Sequence, residues 1–302
     1  MNKVLVTGAT GQLGNELQRL VELKSLNEIT NFIFVSTKDC DLTKKGKIEN
    51  VIEQVKPNLI LHAAAYTAVD KAEDESAVAN LINGEACRYI SQAALKVNAK
   101  VVGISTDFVF NGKKSLPYHP EDATDPLSVY GSSKLLGENL LLENNPNSVV
   151  IRTSWVYSTF GHNFVKSMRN FFETRDKLTI VYDQVGTPTY ARDLANLLVG
   201  FVEQPDQLDV LINDENRTYH YSNEGVASWY DFAKIIQGFS DDIVSDCNIL
   251  PIESRSFTQK ALRPKYSVLG KGKIKNKLNI EIPYWQDSLK VMVEELMGKE
   301  IK

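Results

Sequence analysis

Cysteine is scarce in this chain, with three in 302 residues: Cys40, Cys87 and Cys247. An odd, scattered set excludes a disulfide framework and fits unpaired thiols in a reducing compartment. Histidine is nearly as rare, and His62, His119, His162 and His220 show no ligand spacing. A metal site is therefore not expected. No apolar stretch approaches the roughly 20 residues of a membrane span. The run from Met1 to Val6 is too short for a secretory core and leads straight into a glycine loop. A cytoplasmic protein without membrane contact is the expectation. Neither charge sign dominates: 34 basic residues face 38 acidic ones, for a net charge of −4. Nucleic acid is thus not an expected partner. Repeats and low-complexity tracts are missing as well.

What is present alternates. Apolar runs at Lys3–Val6, Phe32–Val35, Leu59–His62, Val101–Ser105 and Val149–Arg152 read as strands. Helical patterns at Gly14–Leu23, Ile48–Val55, Asn80–Leu95 and Tyr130–Leu142 lie between them. Continuous rather than alternating apolar strands imply burial on both faces, as in a parallel sheet covered by helices. The pattern predicts an α/β fold: a Rossmann-type doubly wound parallel sheet with a smaller α/β C-terminal substrate lobe. After Val156 the rhythm loosens. Tyr182–Thr189 reads as a loop; Arg192–Val202, Ser228–Ile236 and Pro283–Met297 read as helices, the second with Ser228 as N-cap. Residues Gly298–Lys302 are expected to fray. The expected division is 1–157 for dinucleotide binding, with 186–210 returning to it, and 158–302 mainly for substrate.

The first chemical motif is Gly8-Ala9-Thr10-Gly11-Gln12-Leu13-Gly14, directly after a strand and opening a helix. Glycines permit a tight turn and bring backbone N–H groups close to a pyrophosphate at a helix N-terminus. The second strand ends at Ser36-Thr37-Lys38, where an acid would hold a ribose 2′-hydroxyl in an NAD-restricted site. Hydroxyls and a cation there suit a 2′-phosphate, although Lys38 reads equally well as a solvated loop residue. Asp41 and Leu42 follow, within reach of an adenine edge. Small residues Ala63, Ala64 and Ala65, followed by Tyr66 and Thr67, leave room in the crevice after the third strand.

The sharpest element is Tyr130-Gly131-Ser132-Ser133-Lys134. Tyr130 and Lys134 share one helix face. An ammonium beside a phenol lowers its pKa, which makes Tyr130 a proton donor to a carbonyl accepting hydride. Ser105-Thr106-Asp107 ends the preceding strand and can bring the Thr106 hydroxyl to the same oxygen.

These residues resemble the extended short-chain dehydrogenases and, more narrowly, the dTDP-4-dehydrorhamnose reductase family. The similarity spans nearly the whole chain. It includes Thr7–Gly14, Ala63–Asp70, Ser105–Gly112, Tyr130–Lys134, Arg152–Tyr157, Asn163–Val165, Asp183–Thr189, Ser228–Tyr230 and Arg263-Pro264. The resemblance implies NADPH or NADH as reductant, catalytic Thr106, Tyr130 and Lys134, and a dTDP-sugar substrate. It also implies substrate contacts at Val69, Thr106, Asp107, Phe108, Tyr130, Trp155 and Asn163. Some members are dimers holding magnesium between acidic side chains. Glu16 fits one such position, but the Arg192 region offers a base where an acid is wanted, so no metal is expected and the chain is read as a monomer or homodimer. The rival readings are another nucleotide-sugar 4-ketoreductase, an epimerase, and a non-catalytic nucleotide-binding regulatory subunit. A dehydratase would place a second carboxylate after Asp107, where Phe108 stands.

Overall fold

A computed structural model of the chain describes residues 2–244 and 246–299. The expected fraying at Gly298–Lys302 falls partly on 300–302, outside the described residues. The chain begins with strand β1 (Asn2–Thr7), helix α1 (Gln12–Leu23), β2 (Thr30–Val35), α2 (Lys45–Val55) and β3 (Leu59–His62). Then come α3 (Ala86–Lys96), β4 (Lys100–Thr106), α4 (Val129–Asn144) and β5 (Ser148–Thr153). The helix read from Asn80 is real but interrupted, because Leu81–Glu85 forms a π turn leading into α3. Single π turns of this kind gather at functional sites.

Six strands make one parallel sheet. Its order places β2 and β3 on opposite sides of β1, with β4, β5 and a late strand, Thr218–His220, completing it. The direction of winding reverses at β1, which opens a crevice at the carboxyl ends of β1 and β3. One apolar cluster, including Val4, Val6, Leu17, Leu61, Val149 and Ile151, covers one face of the sheet. A second, including Leu5, Ile48, Ile60, Ile90 and Val101, covers the other.

Beyond Tyr157 the chain is richer than its pattern predicts. Helix α5 (Phe164–Thr174) and strand β6 (Lys177–Val181) precede α6 (Ala191–Glu203). Further on lie Pro205–Ile212, β7 (Thr218–His220), α7 (Trp229–Phe239), β8 (Asn248–Ile252), Gly272–Leu278 and α8 (Trp285–Leu296). Short strands Val185–Gly186 and Thr189–Tyr190 lie in the stretch read as a loop. The expected Ser228 cap is present as a full capping box with Asp231. Strands β6 and β8 pair in parallel, outside the main sheet. Helix α6 packs back on α1. Arg192 at its start pairs with the buried carboxylate of Glu16 at 3.0 Å. Ser158 donates to the same carboxylate at 2.7 Å.

Candidate active site

The glycine loop lies at the crevice. Gly8 has φ +79°, and a Cβ there would come within 2.7 Å of the Ala64 backbone. The loop and the Ala63–Ala65 segment are therefore pressed together as only glycine allows. Helix α1 starts with no side-chain cap and no acidic residue in its first turn. That leaves a positive helix end facing the crevice, the arrangement a pyrophosphate needs. Thr10 and Gly11 are exposed, Gln12 is half-buried, and Leu13 is buried in the core. Thr67 is exposed and Val69 half-buried after β3.

Past β2, part of the expected ribose pocket is engaged within the protein. Asp39 accepts from the Ser36 backbone N–H at 2.9 Å and from its hydroxyl at 2.7 Å. An acid is thus present at this strand end, one residue beyond the Ser36–Lys38 positions where the sequence lacked one. Thr37 and Lys38 are exposed. Asp41 accepts from the Thr43 backbone N–H at 3.0 Å and hydroxyl at 2.6 Å, and pairs with Lys44. Leu42 is buried among Val35 and Cys40. Asp41 thus closes a turn and Leu42 takes a core position at this strand end.

Thr106 ends β4, and Tyr130 and Lys134 stand on α4. Ser128 caps this helix, accepting from the Gly131 N–H. Phe108 meets Tyr130 edge-on, with ring centroids 5.5 Å apart. Thr106 donates to Asp107 Oδ1 at 3.1 Å. Asp107 Oδ2 is buried with no hydrogen bond of normal length, although the Ser267 hydroxyl, like that of Thr106, lies close enough to favour the charged carboxylate. Burial pushes the Asp107 carboxyl up to about 6.

The phenol departs from the expected electrostatics. Burial pushes Tyr130 up to about 12, with Asp107 adding to the rise and the Thr106 hydroxyl opposing it. Lys134 does not lower it. Its ammonium instead donates to the Ile104 carbonyl at 2.7 Å, turned toward β4. Tyr130 accordingly stays a protonated phenol through the neutral and mildly alkaline range.

Trp155 has the left-handed φ of 49°, unusual for a bulky residue. Its ring stacks on Trp229, centroids 3.5 Å apart. Gly186 lies against the indole; a Cβ there would come within 2.8 Å of it. Trp155 is half-buried, neither free in the cleft nor fully in the core. Asn163 differs more from expectation. Its Oδ1 caps α5 by accepting from the Lys166 N–H at 3.1 Å. Its Nδ2 donates to the Ser158 carbonyl at 2.6 Å and to Gln12 at 3.0 Å. These partners make it a brace between α5 and the glycine loop.

Three neighbours escaped the sequence reading. Asn83, in the π turn, exchanges hydrogen bonds with the Tyr66 backbone at 2.8 and 3.0 Å and donates to Ser133 at 2.9 Å. It ties the Ala63–Tyr66 segment to α4. Glu138 and Arg152 form a buried ion pair beneath Lys134. Glu138 was within reach of sequence logic, being one further four-residue step after Tyr130 and Lys134. Asn83 carries no local signal, because its partners lie 17 and 50 residues away.

Residues 1–297 match the family model described as the RmlD substrate binding domain. The chain belongs to this family. Within the RmlD family, the dTDP-4-dehydrorhamnose reductase of Aggregatibacter actinomycetemcomitans is 37% identical over 96% of this chain and 98% of its own. The spore coat polysaccharide biosynthesis protein SpsK of Bacillus subtilis is 36% identical over 98% of each chain. A crystal structure of a dTDP-4-dehydrorhamnose reductase from Clostridium acetobutylicum superposes with a TM-score of 0.89 at 36% identity. It covers 98% of this chain and 99% of that one. The Bacillus anthracis dTDP-4-dehydrorhamnose reductase in complex with NADP gives 0.89 at 34% identity, covering 98% of this chain and all of that one. The Rossmann-type expectation is thus met in an RmlD-family oxidoreductase. Among the described residues, no helix is long and apolar enough to cross a membrane, and no three His, Cys, Asp or Glu side chains gather as metal ligands.

Proposed function

We propose that this chain uses NADPH, with NADH as a usable substitute, to reduce the C4 carbonyl of dTDP-4-dehydro-6-deoxy-L-mannose to dTDP-L-rhamnose. The observation that carries it is the convergence of Thr106, Tyr130 and the buried Asp107 oxygen at the carboxyl end of β4, in a chain matching such reductases over nearly its full length. The uncapped α1 N-terminus and the glycine cradle suit a dinucleotide. Residues Gly8–Gly14, Ser36–Lys38, Ala63–Ala65 and Thr67 would line its phosphates and ribose. Residues 1–157 with 186–210 form the cofactor-binding part and 158–302 mainly the substrate lobe. In support, α6 packs on α1 and the β6–β8 pair stands apart from the main sheet. The enzyme works in the cytoplasm, as a monomer or homodimer.

A reduced nicotinamide supplies hydride when bound. The residues do the rest. Negative charge grows on the C4 oxygen as the carbonyl is reduced, and Tyr130 delivers its phenolic proton there. A phenol held near 12 is protonated at working pH yet yields its proton to an alkoxide. Thr106 donates a hydrogen bond to the same oxygen and fixes the carbonyl. Asp107 Oδ2 accepts from a sugar hydroxyl. Lys134 sets positive charge beside the nicotinamide ribose. Val69, Phe108 and Trp155 give apolar walls to the sugar.

Incubation with NADPH and dTDP-4-dehydrorhamnose tests this. Stoichiometric NADPH oxidation with formation of dTDP-L-rhamnose is expected. Cofactor binding without turnover would leave a regulatory nucleotide-binding role in its place.

A further inference from the structure

Tyr130, Lys134 and Glu138 follow one another at four-residue steps along α4. The third member lies deepest, and only 4% of Glu138 is exposed. Its carboxylate takes Arg152 Nε at 2.9 Å and Nη2 at 2.7 Å, and also accepts the Ser105 hydroxyl. Ser105 pairs in register with Arg152, and Thr106 with Thr153. Helix α4 therefore grips the end of β4 twice, through Lys134 at Ile104 and through Glu138 at Ser105. Thr106 is the next residue along.

The same groups enclose a small cavity of about 10 Å³, bounded in part by His62, Cys87, Ser105, Lys134 and Glu138. That volume holds about one water. A buried ammonium with one carbonyl partner is costly unless negative charge is near. The polar groups lining the cavity with Lys134 are His62 from β3, Cys87 from α3, Ser105 from β4 and Glu138 from its own helix. Burial drives His62 down to about 3 and Cys87 up to about 11, so both are neutral at working pH. Burial also lowers Lys134, and the two groups opposing that are Cys87 and Glu138. With Cys87 neutral, the carboxylate of Glu138 is the negative charge that remains.

We propose that Glu138 is a positioning residue for the reduction, the buried anion that keeps Lys134 cationic and locks the β4 end that presents Thr106. Arg152 has the complementary part of holding Glu138 in place. Its guanidinium packs over the Phe110 ring at 5.1 Å, and its Nη1 is buried without a partner. This assignment rests on the reductase reading given above.

Three variants of the full chain test it. Glu138→Gln removes the charge and keeps the shape, but strands Arg152, which is strongly destabilising in a buried pair. Glu138→Gln/Arg152→Met removes both charges and keeps folding within reach. Glu138→Asp keeps the charge and shortens the reach to Ser105. NADPH binding is titrated by fluorescence from neutral into alkaline pH, because burial lowers the lysine from its ordinary value, with kcat and KM for the sugar measured alongside. In the double variant, the alkaline loss of NADPH affinity should begin at a lower pH than in the parent protein. Glu138→Asp should keep the parental pH profile while kcat falls, because Thr106 is displaced but Lys134 stays charged. An unshifted profile in the folded double variant overturns the assignment. So does a double variant that does not fold, which would leave the pair a purely structural part. The cofactor titration needs no sugar, so failure of the substrate assignment shows separately, as a parent protein that binds NADPH and leaves the sugar unreduced.

Discussion

The sheet that carries Gly8, Thr106 and Asp107 is built from aliphatic strands, whereas the region around Trp155 is built from rings. In the sheet, Val4, Val6, Ile60, Leu61, Val101, Val102 and Ile151 sit between two helical layers and are essentially inaccessible. In the later region, Tyr157, Phe172, Tyr190, Phe232 and Trp285 form the core, with Phe164, Trp155 and Trp229 packed against it. Ring pairs run through it, from Trp155–Trp229 at 3.5 Å to Phe164–Phe232 and Tyr157–Tyr190 at 5.5 Å. Aliphatic layers are rigid and make a fixed platform for chemistry. Stacked rings add geometric preference and present flat faces, which suits a surface that must fit a sugar. Proton-transfer residues would thus sit on the first and substrate-fitting residues on the second.

Tyr130→Phe should have the largest effect. It removes one hydroxyl and keeps the ring against Phe108. General acid catalysis contributes about 10² to 10⁴ in rate, so kcat should fall by that factor with NADPH binding and thermal stability little changed. A near-normal rate would move the proton donor elsewhere, with Asp107 the first alternative. Because burial holds Tyr130 near 12, the parent enzyme should show no loss from tyrosine ionisation below about pH 11.

Trp155→Ala asks the same question of the ring-built region. Losing a half-buried stacked indole should cost roughly 2–4 kcal/mol of stability, somewhat less than a fully buried tryptophan. The KM for the sugar should rise as well, while NADPH affinity stays close to that of the parent. If stability falls and KM does not move, the indole is only packing. If NADPH affinity falls too, the two regions are not separable in the way proposed.

This difference in construction also explains what the sequence made legible. Buried parallel strands announce themselves as unbroken apolar runs, and each helix between them repeats at its own period. Five of the six strands of the main sheet were readable for that reason. The sixth, Thr218–His220, is three residues long and hides in a polar stretch. Strand β8 contains Pro251 and is half-exposed, so its pairing with β6 has no local signature. The shared face of Tyr130 and Lys134 was legible because spacing on one helix fixes it, and the place of Thr106 because it ends an apolar strand. The direction of the Tyr130 shift was not, since it depends on burial and on Lys134 turning to Ile104. The bracing by Asn163 was hidden for a related reason: its partners are 151 and 5 residues away, and only the fold brings them to its amide.

Asp107→Asn should separate stability from binding. The folded-state pKa lies near 6, above the ordinary 3.8. An acid with a raised folded pKa binds more protons folded than unfolded between those values, so stability is lost as pH rises from about 4 through 6. At 1.36 kcal/mol per pH unit the loss is roughly 1–3 kcal/mol. Thermal melting across that range should show the slope in the parent and not in Asp107→Asn. The variant should melt higher at pH 7 and bind the sugar less well. A variant that melts lower at pH 7 would mean that the buried oxygen is not a strained group kept for substrate.

Lys38→Glu should give the smallest effect, and it probes the rim of the rigid half. The residue is exposed on the turn after β2, beside Thr37 and next to the Asp39 carboxylate that holds Ser36. If Lys38 reaches a 2′-phosphate, it does so from solvent, where a charge-assisted contact is worth about 1–1.5 kcal/mol at most. The NADPH-to-NADH ratio of kcat/KM should then shift by about tenfold toward NADH, with kcat on either cofactor nearly constant. The effect should shrink at high salt, because exposed charges are screened. Asp39 complicates the sign in an informative way. Its carboxylate is held at this turn by Ser36, so it would oppose a 2′-phosphate in the parent, and Lys38 would be what offsets it. Asp39→Asn should therefore move the ratio in the opposite direction, toward NADPH. If Lys38→Glu leaves the ratio unchanged while Asp39→Asn raises it, the turn's acid sets the preference and Lys38 is only a solvated neighbour.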